Sequence, residues 1–166
     1  MSSIEFAMRP RTGEESETGF IFSSWMRGAR EWGPDKNTPT ETYNWYQHKI
    51  IESLMEMPGA VWTVATHKDD PTTYFGFCCG QVFASGPVLH WIHVKKNLQR
   101  YGIASAMLHK LRDQCVSTTR DAPLTTTATT LHWQRTPLSH YAIYNPWCLY
   151  TACLPIGWQR QRQASK

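Results

Sequence analysis

Val88-Leu89-His90-Trp91-Ile92-His93-Val94-Lys95-Lys96-Asn97-Leu98-Gln99-Arg100-Tyr101-Gly102-Ile103-Ala104-Ser105-Ala106-Met107-Leu108 is the stretch that decides the fold. An apolar strand runs into a short basic loop, and Gly102 turns that loop directly into a helix. Ile103, Ala104, Met107, Leu108, Leu111 and Cys115 share the buried side of that helix. The start of a helix offers unpaired N–H groups and the positive end of a dipole. Gly102 and the small Ala104 let a phosphate approach the backbone, and Lys95, Lys96 and Arg100 ring the turn with positive charge.

Upstream, the periodicity predicts three strands joined by short turns, over 61–66, 74–84 and 88–94, an antiparallel meander. Before them come an alternating strand over 4–8 and two amphipathic helices. The first covers 18–32, with Phe22, Trp25, Met26 and Ala29 at helical spacing. The second carries Tyr43, Tyr46, Ile50, Leu54 and Met57 and is capped by Thr38, Thr40 or Thr42. Downstream, the β-branched run Thr125–Thr130 reads as a strand, 138–144 as a short helix, and the rest through Trp158 as terminal strands. The order predicts a mixed α/β (α+β) single domain over 1–158, a central mostly antiparallel sheet flanked by helices, followed by a polar basic tail over 159–166.

The chain has 166 residues and a formal charge of +4. Every Asp and Glu lies at or before Asp121. Beyond it stand Arg135, Arg160, Arg162 and Lys166, so the excess charge belongs to a final stretch without a carboxylate. That stretch holds no carboxylate metal site and no carboxylate acid–base pair. The 8 Trp require an aromatic core or interface. No apolar run is long enough to span a membrane, and the N-terminus lacks the pattern of a signal peptide. The 5 cysteines are odd in number and form no C-x-x-C pair, which fits a reducing cytoplasm without a disulfide framework. No metal site is expected. His90 and His93 fall on opposite faces of a regular strand, too far apart to share an ion.

Gln99-x-x-Gly102-x-Ala104, after a strand ending at Val94 and before an apolar helix, resembles motif A of the GNAT acetyltransferase superfamily. The element order resembles that family's over nearly the whole chain. The phrases Phe20–Trp25 and Leu89–Lys95 also resemble phage-encoded members. The resemblance implies that acetyl-CoA is the co-substrate. Its pyrophosphate would rest on the backbone of Gln99, Arg100, Tyr101, Gly102, Ile103, Ala104 and Ser105. Its pantetheine arm would pair with Ile92 and Val94, in a gap between that strand and the strand over 125–130. The family's thiolate acid, a tyrosine beyond the fifth strand, corresponds to Tyr144, with Tyr141 as the alternative.

Many family members carry a glutamate base in the strand before the loop, and this strand has none. Regular alternation places His90 with Val88 and Ile92, and His93 opposite with Trp91. His90 is taken as the base, because an imidazole titrates in the useful range; His132 and His140 are further candidates. Either acceptor-binding carboxylates come from the N-terminal helices, such as Glu14, Glu15, Glu17 or Glu31, or the acceptor is not strongly cationic. The expected function is acetyl transfer to an amine acceptor that the sequence does not identify. The alternative is a non-enzymatic protein on the same scaffold, such as a phage structural or assembly component. In that case the aromatic surface meets phage proteins or a second copy of the chain, in the virion rather than the host cytoplasm. Nucleic-acid binding through the Arg160–Arg162 tail is disfavoured by the modest net charge.

Overall fold

The structure is a computed structural model. It describes residues 4–115, 122–127 and 142–145, the side chains at 32, 34 and 35 excepted. The tail over 159–166, His132, His140 and Tyr141 lie outside the described residues.

Strand β1 (Phe6–Pro10) leads to helix α1 (Glu15–Trp32) and, through a 3-10 turn, to α2 (Thr40–Glu56). Then follow β2 (Ala60–His67), β3 (Tyr74–Phe83) and β4 (Gly86–Val94), helix α3 (Ile103–Arg112), β5 (Leu124–Thr126) and β6 (Ala142–Tyr144). The strands form one six-stranded sheet in chain order. The first four pair antiparallel, and β4–β5 and β5–β6 pair parallel. The mostly antiparallel α/β architecture read from the sequence is therefore present.

Three local expectations are corrected. Helix α1 starts at Glu15, three residues before the start expected at residue 18. Pro39, not a threonine, is the N-cap of α2, with no side-chain cap bond. Residues 142–144 are a strand, not the end of a helix. The Ala-Ile-Tyr run there has a β-branched centre that suits β5's edge, and its short period could not separate helix from strand.

Two apolar layers hold the sheet. On one face α1 and α2 bring Ile21, Trp25, Tyr43, Ile51 and Leu54 onto Trp62, Val64, Phe77 and Trp91. Trp25 stacks on Trp91 with ring centroids 4.9 Å apart, and its indole N–H donates to Gln47 Oε1 at 3.1 Å. Trp25, Trp62 and Trp91 thus sit in the core the composition called for, while Trp45 on α2 is 66% exposed. On the other face α3 lays Ile103, Met107, Leu108 and Leu111 against Phe75, Cys78, Leu89 and Leu124.

β3 and β4 approach closely at Gly76. A Cβ there would lie 2.3 Å from the His93 carbonyl oxygen and 3.1 Å from Val94 Cα. Backbone cannot yield as a side-chain tip does, so Gly76→Ala should cost about 1–3 kcal/mol. Urea denaturation checks this, and an unchanged midpoint would contradict it.

Candidate active site

The register of β3 against β4 shifts at one point. Cys79 pairs with Trp91, but Gly80 pairs with Leu89, so His90 is an extra residue in β4, a β-bulge. The bulge breaks the alternation assumed from the sequence. Leu89, Ile92 and Val94 face α3, while Trp91 and His93 face α1 and α2. His90 Nε2 lies 3.0 Å from Gln81 Oε1, and the Gln81 amide in turn reaches Met57 on the α1–α2 side. His90 therefore shares a face with Trp91 and His93 and not with Ile92. Among the described residues no three His, Cys, Asp or Glu side chains gather as a metal site.

Both ring nitrogens of His90 are engaged. Nδ1 stands 3.1 Å from Thr127 Oγ1, opposite the contact to Gln81. With Gln81 Oε1 as acceptor, Nε2 carries the hydrogen and Nδ1 accepts from the threonine hydroxyl. Burial pushes its pKa down to about 4, so the ring is neutral at pH 7. A proton-accepting role for His90 requires the Thr127 contact to open. As it stands, the ring ties the bulge of β4 to β3 on one side and to the end of β5 on the other.

Beyond the bulge the main chain of β4 is divided between two neighbours. Lys95 N–H donates to Phe75 O at 2.9 Å, which makes Trp91, His93 and Lys95 the residues bonded to β3. The N–H and C=O of Ile92 and Val94 then point the other way, on the side where β5 runs. Among the described residues the β4–β5 ladder joins Val88 to Thr125 and Leu89 to Thr126, with Thr127 N–H donating to Leu89 O at 3.0 Å. Residues 128–130 of the expected strand lie outside the described residues.

The loop after β4 is shaped to bring its amides to one spot. Lys96–Leu98 make a 3-10 turn, and Gln99 Nε2 donates back to Val94 O at 3.3 Å. Arg100 (φ 70°) and Gly102 (φ 81°) both adopt the left-handed conformation. A non-glycine residue there is uncommon, and such reversals turn successive N–H groups into one concavity. Gly102 is the N-cap of α3 without a side-chain cap, no acid stands in the first turn, and the first helical bond is Ala106 N–H to Gly102 O at 2.9 Å. The preceding amides, down to Gly102 itself, have no partner in the helix. Arg100, Tyr101, Gly102 and Ser105 are exposed, Ala104 is half-buried, and Ile103 is sealed in the core. Ile103 can therefore serve a ligand only through its amide.

Tyr144 pairs with Thr126, which pairs with Leu89, so it lies two strands from the row of the bulge, about 10 Å across the sheet. It is 54% exposed. It follows Ala142, which packs on the α3 layer, by two residues, so alternation puts Tyr144 on the α3 side.

Glu17 is not available to an acceptor. It is fully buried, its Oε1 2.5 Å from Arg9 Nη1, while Oε2 accepts from the amides of Thr12 at 2.8 Å and Gly13 at 3.1 Å. Glu14, Glu15 and Glu31 are exposed.

No family model matches the chain, and no curated protein matches it. Among solved structures it is similar to an acetyl transferase, so named, from Pyrococcus furiosus, at 18% identity over 82% of this chain and 89% of that one, TM-score 0.52. It is also similar to a GNAT-family acetyltransferase, so named, from Desulfovibrio desulfuricans, at 20% identity over 65% of this chain and 64% of that one, TM-score 0.42. A third likeness is to a fungal multi-domain β-N-acetylglucosaminidase with a GCN5-related glucosamine N-acetyltransferase region: 15% identity, 65% of this chain, TM-score 0.46. The chain spans only 12% of that fungal chain. At these identities the likeness to the Pyrococcus structure shows the fold. Among the described residues no helix is long and apolar enough to cross a membrane.

Proposed function

We propose that the chain is an acetyl-CoA-dependent N-acetyltransferase that passes the acetyl group directly to an amine. The observation that carries this reading is the juxtaposition of two backbone surfaces, the uncapped start of α3 and the main-chain groups of Ile92 and Val94 that β3 does not bond, of which Val94 O accepts from Gln99 Nε2. The first suits a pyrophosphate. The second suits an extended amide-containing arm, which would pair with a strand edge as another strand does. An N–H on that edge also polarises a thioester carbonyl as charge develops on its oxygen. Gln99 ties the loop to the strand end, and Arg100 and Lys96 add positive charge at the rim. Tyr144 is the candidate proton donor to the leaving thiolate. His90, with its nitrogens taken by Gln81 and Thr127, acts here as a positioning residue that keeps the bulge and β5 in place.

Acetyl-CoA should raise the melting temperature. At 100 times the dissociation constant the stabilisation is about 2.7 kcal/mol. No shift at millimolar acetyl-CoA would contradict the reading and favour a non-enzymatic protein on this scaffold. Tyr144→Phe should lower turnover by about 10–100-fold, within the range of a lost general acid, while acetyl-CoA binds as before. Unchanged turnover would remove Tyr144 from the acid role.

A further inference from the structure

His93 differs from His90 in exposure and in hydrogen bonding. It is only half-buried, and no hydrogen bond engages its ring among the described residues. Its ring lies edge-on to Phe20, 6.1 Å between centroids, and tilted against Phe77 at 5.9 Å. Phe20 itself stacks on Tyr74 at 5.3 Å, and Lys95 Nζ stands 5.4 Å from the centre of the Phe20 ring. Two cations lie near enough to act electrostatically on the imidazole, Arg27 from α1 and Lys95 from the end of β4. Neither is paired with a carboxylate among the described residues, whose ion pairs are Arg9–Glu17, Lys49–Glu52 and Lys68–Glu5. An aromatic floor, an accessible imidazole and two cations without a carboxylate partner among the described residues thus stand beside the stretch of β4 whose Ile92 and Val94 main-chain groups point away from β3.

We propose that His93, Arg27 and Lys95 form the acceptor site, for an amine whose molecule also carries an anionic group, a carboxylate or a phosphate. The proposal rests on the acetyl-transfer reading above. The anionic group lies between Arg27 and Lys95, and the amine stands over His93. The amine lone pair forms the new C–N bond to the acetyl carbonyl carbon, and His93 takes the N–H proton. The C–S bond breaks with its electron pair on sulfur, and the thiolate takes a proton, leaving an amide and free thiol. The anion also has an electrostatic role. Burial first, then Arg27 and Lys95, push the His93 pKa down to about 4, which leaves the ring neutral but weakly basic. A bound anion offsets both cations and moves that pKa upward, so the acceptor itself readies the base. A purely cationic amine would instead be repelled and leave His93 a weak base.

Ring 15N NMR of His93 in the full chain tests this without acetyl-CoA. The probes are N-acetylglycine, N-acetylglycinamide and 2-acetamidoethyl phosphate, each at tens of millimolar. One or both anions should shift the His93 signals and raise its pKa, and the neutral amide should do neither. Which anion acts identifies the acceptor class. The shift should vanish in R27Q/K95Q. The second arm compares turnover on an amine bearing the anion that acts, an amino acid or 2-aminoethyl phosphate, with turnover on its uncharged counterpart, the amino acid amide or 2-aminoethanol. The anionic form should be preferred at least tenfold in kcat/KM, and R27Q/K95Q should bring the ratio to about one. H93Q should lower kcat and retain acetyl-CoA binding. Equal His93 responses to all three probes, or none to either anion, would overturn the proposal. If acetyl-CoA fails to bind while the anions still move His93, the acetyl-transfer reading fails and the anion site stands.

Discussion

Gly102→Glu is expected to abolish acetyl-CoA binding and leave the fold in place. A Cβ at Gly102 meets nothing within 4 Å, so the new side chain has room. The backbone φ of 81° is the difficulty for folding, at about 1–2 kcal/mol for an L-residue in the left-handed region. Binding suffers far more. The carboxylate would share the concavity with the pyrophosphate, and each pair of like charges at 4 Å costs about 4 kcal/mol at an effective dielectric of 20. That corresponds to about a thousandfold weaker binding. Gly102→Asn separates charge from strain, because asparagine tolerates the left-handed region. It should bind acetyl-CoA nearly as the native chain does. Isothermal titration of the native chain and both variants checks the set. Retained affinity in Gly102→Glu would remove the phosphate from this turn.

Glu17→Ala should be the most destabilising change among the polar residues. It removes the partner of Arg9 and the acceptor for the Thr12 and Gly13 amides in one step. Breaking a buried pair by deleting one partner costs about 3–5 kcal/mol, because the other charge is left uncompensated. The damage starts where α1 begins, and α1 carries Phe20 and Arg27 to the proposed acceptor site. The carboxyl also sets a pH dependence. Burial raises its pKa, but the Gly13 amide, the Arg9 guanidinium and the Thr12 amide outweigh burial, and the net value lies below the ordinary 4.5. A depressed folded pKa gives stability that is complete above pH 4.5 and is lost as the pH falls through the folded value. Denaturant midpoints of the native chain should therefore drop below pH 4.5, and the drop should be smaller in Glu17→Gln. Equal slopes in both would contradict this role.

The glycine turn and the apolar face of α3 were legible because each is a local signal: a breaker, a basic rim, and helical spacing over Ile103–Leu111. The three-stranded meander was legible for the same reason, since its strands are joined by short turns. The bulge at His90 was not. It adds one residue to β4 opposite Cys79 and Gly80, and nothing in Val88–Val94 announces where alternation breaks. That single residue moved His90 to the face of His93 and reversed the choice of base. It also hid the second signal, that Arg27, 66 positions earlier in the chain than His93, acts electrostatically on the same ring. Glu17 was misread for a related reason. A carboxylate in a polar run looks solvated until the turn before α1 wraps its amides around it. Tyr144 fell on a run of three residues too short for any period to decide.

The central claim is that the start of α3 and the edge of β4 together hold acetyl-CoA. A crystal structure of the chain soaked with acetyl-CoA tests it most directly. The account predicts pyrophosphate oxygens at hydrogen-bonding distance, about 2.7–3.2 Å, from amides within Gly102–Ser105, with the pantetheine arm along Ile92 and Val94. Acetyl-CoA bound elsewhere, or no density for it at saturating concentration, would contradict the account.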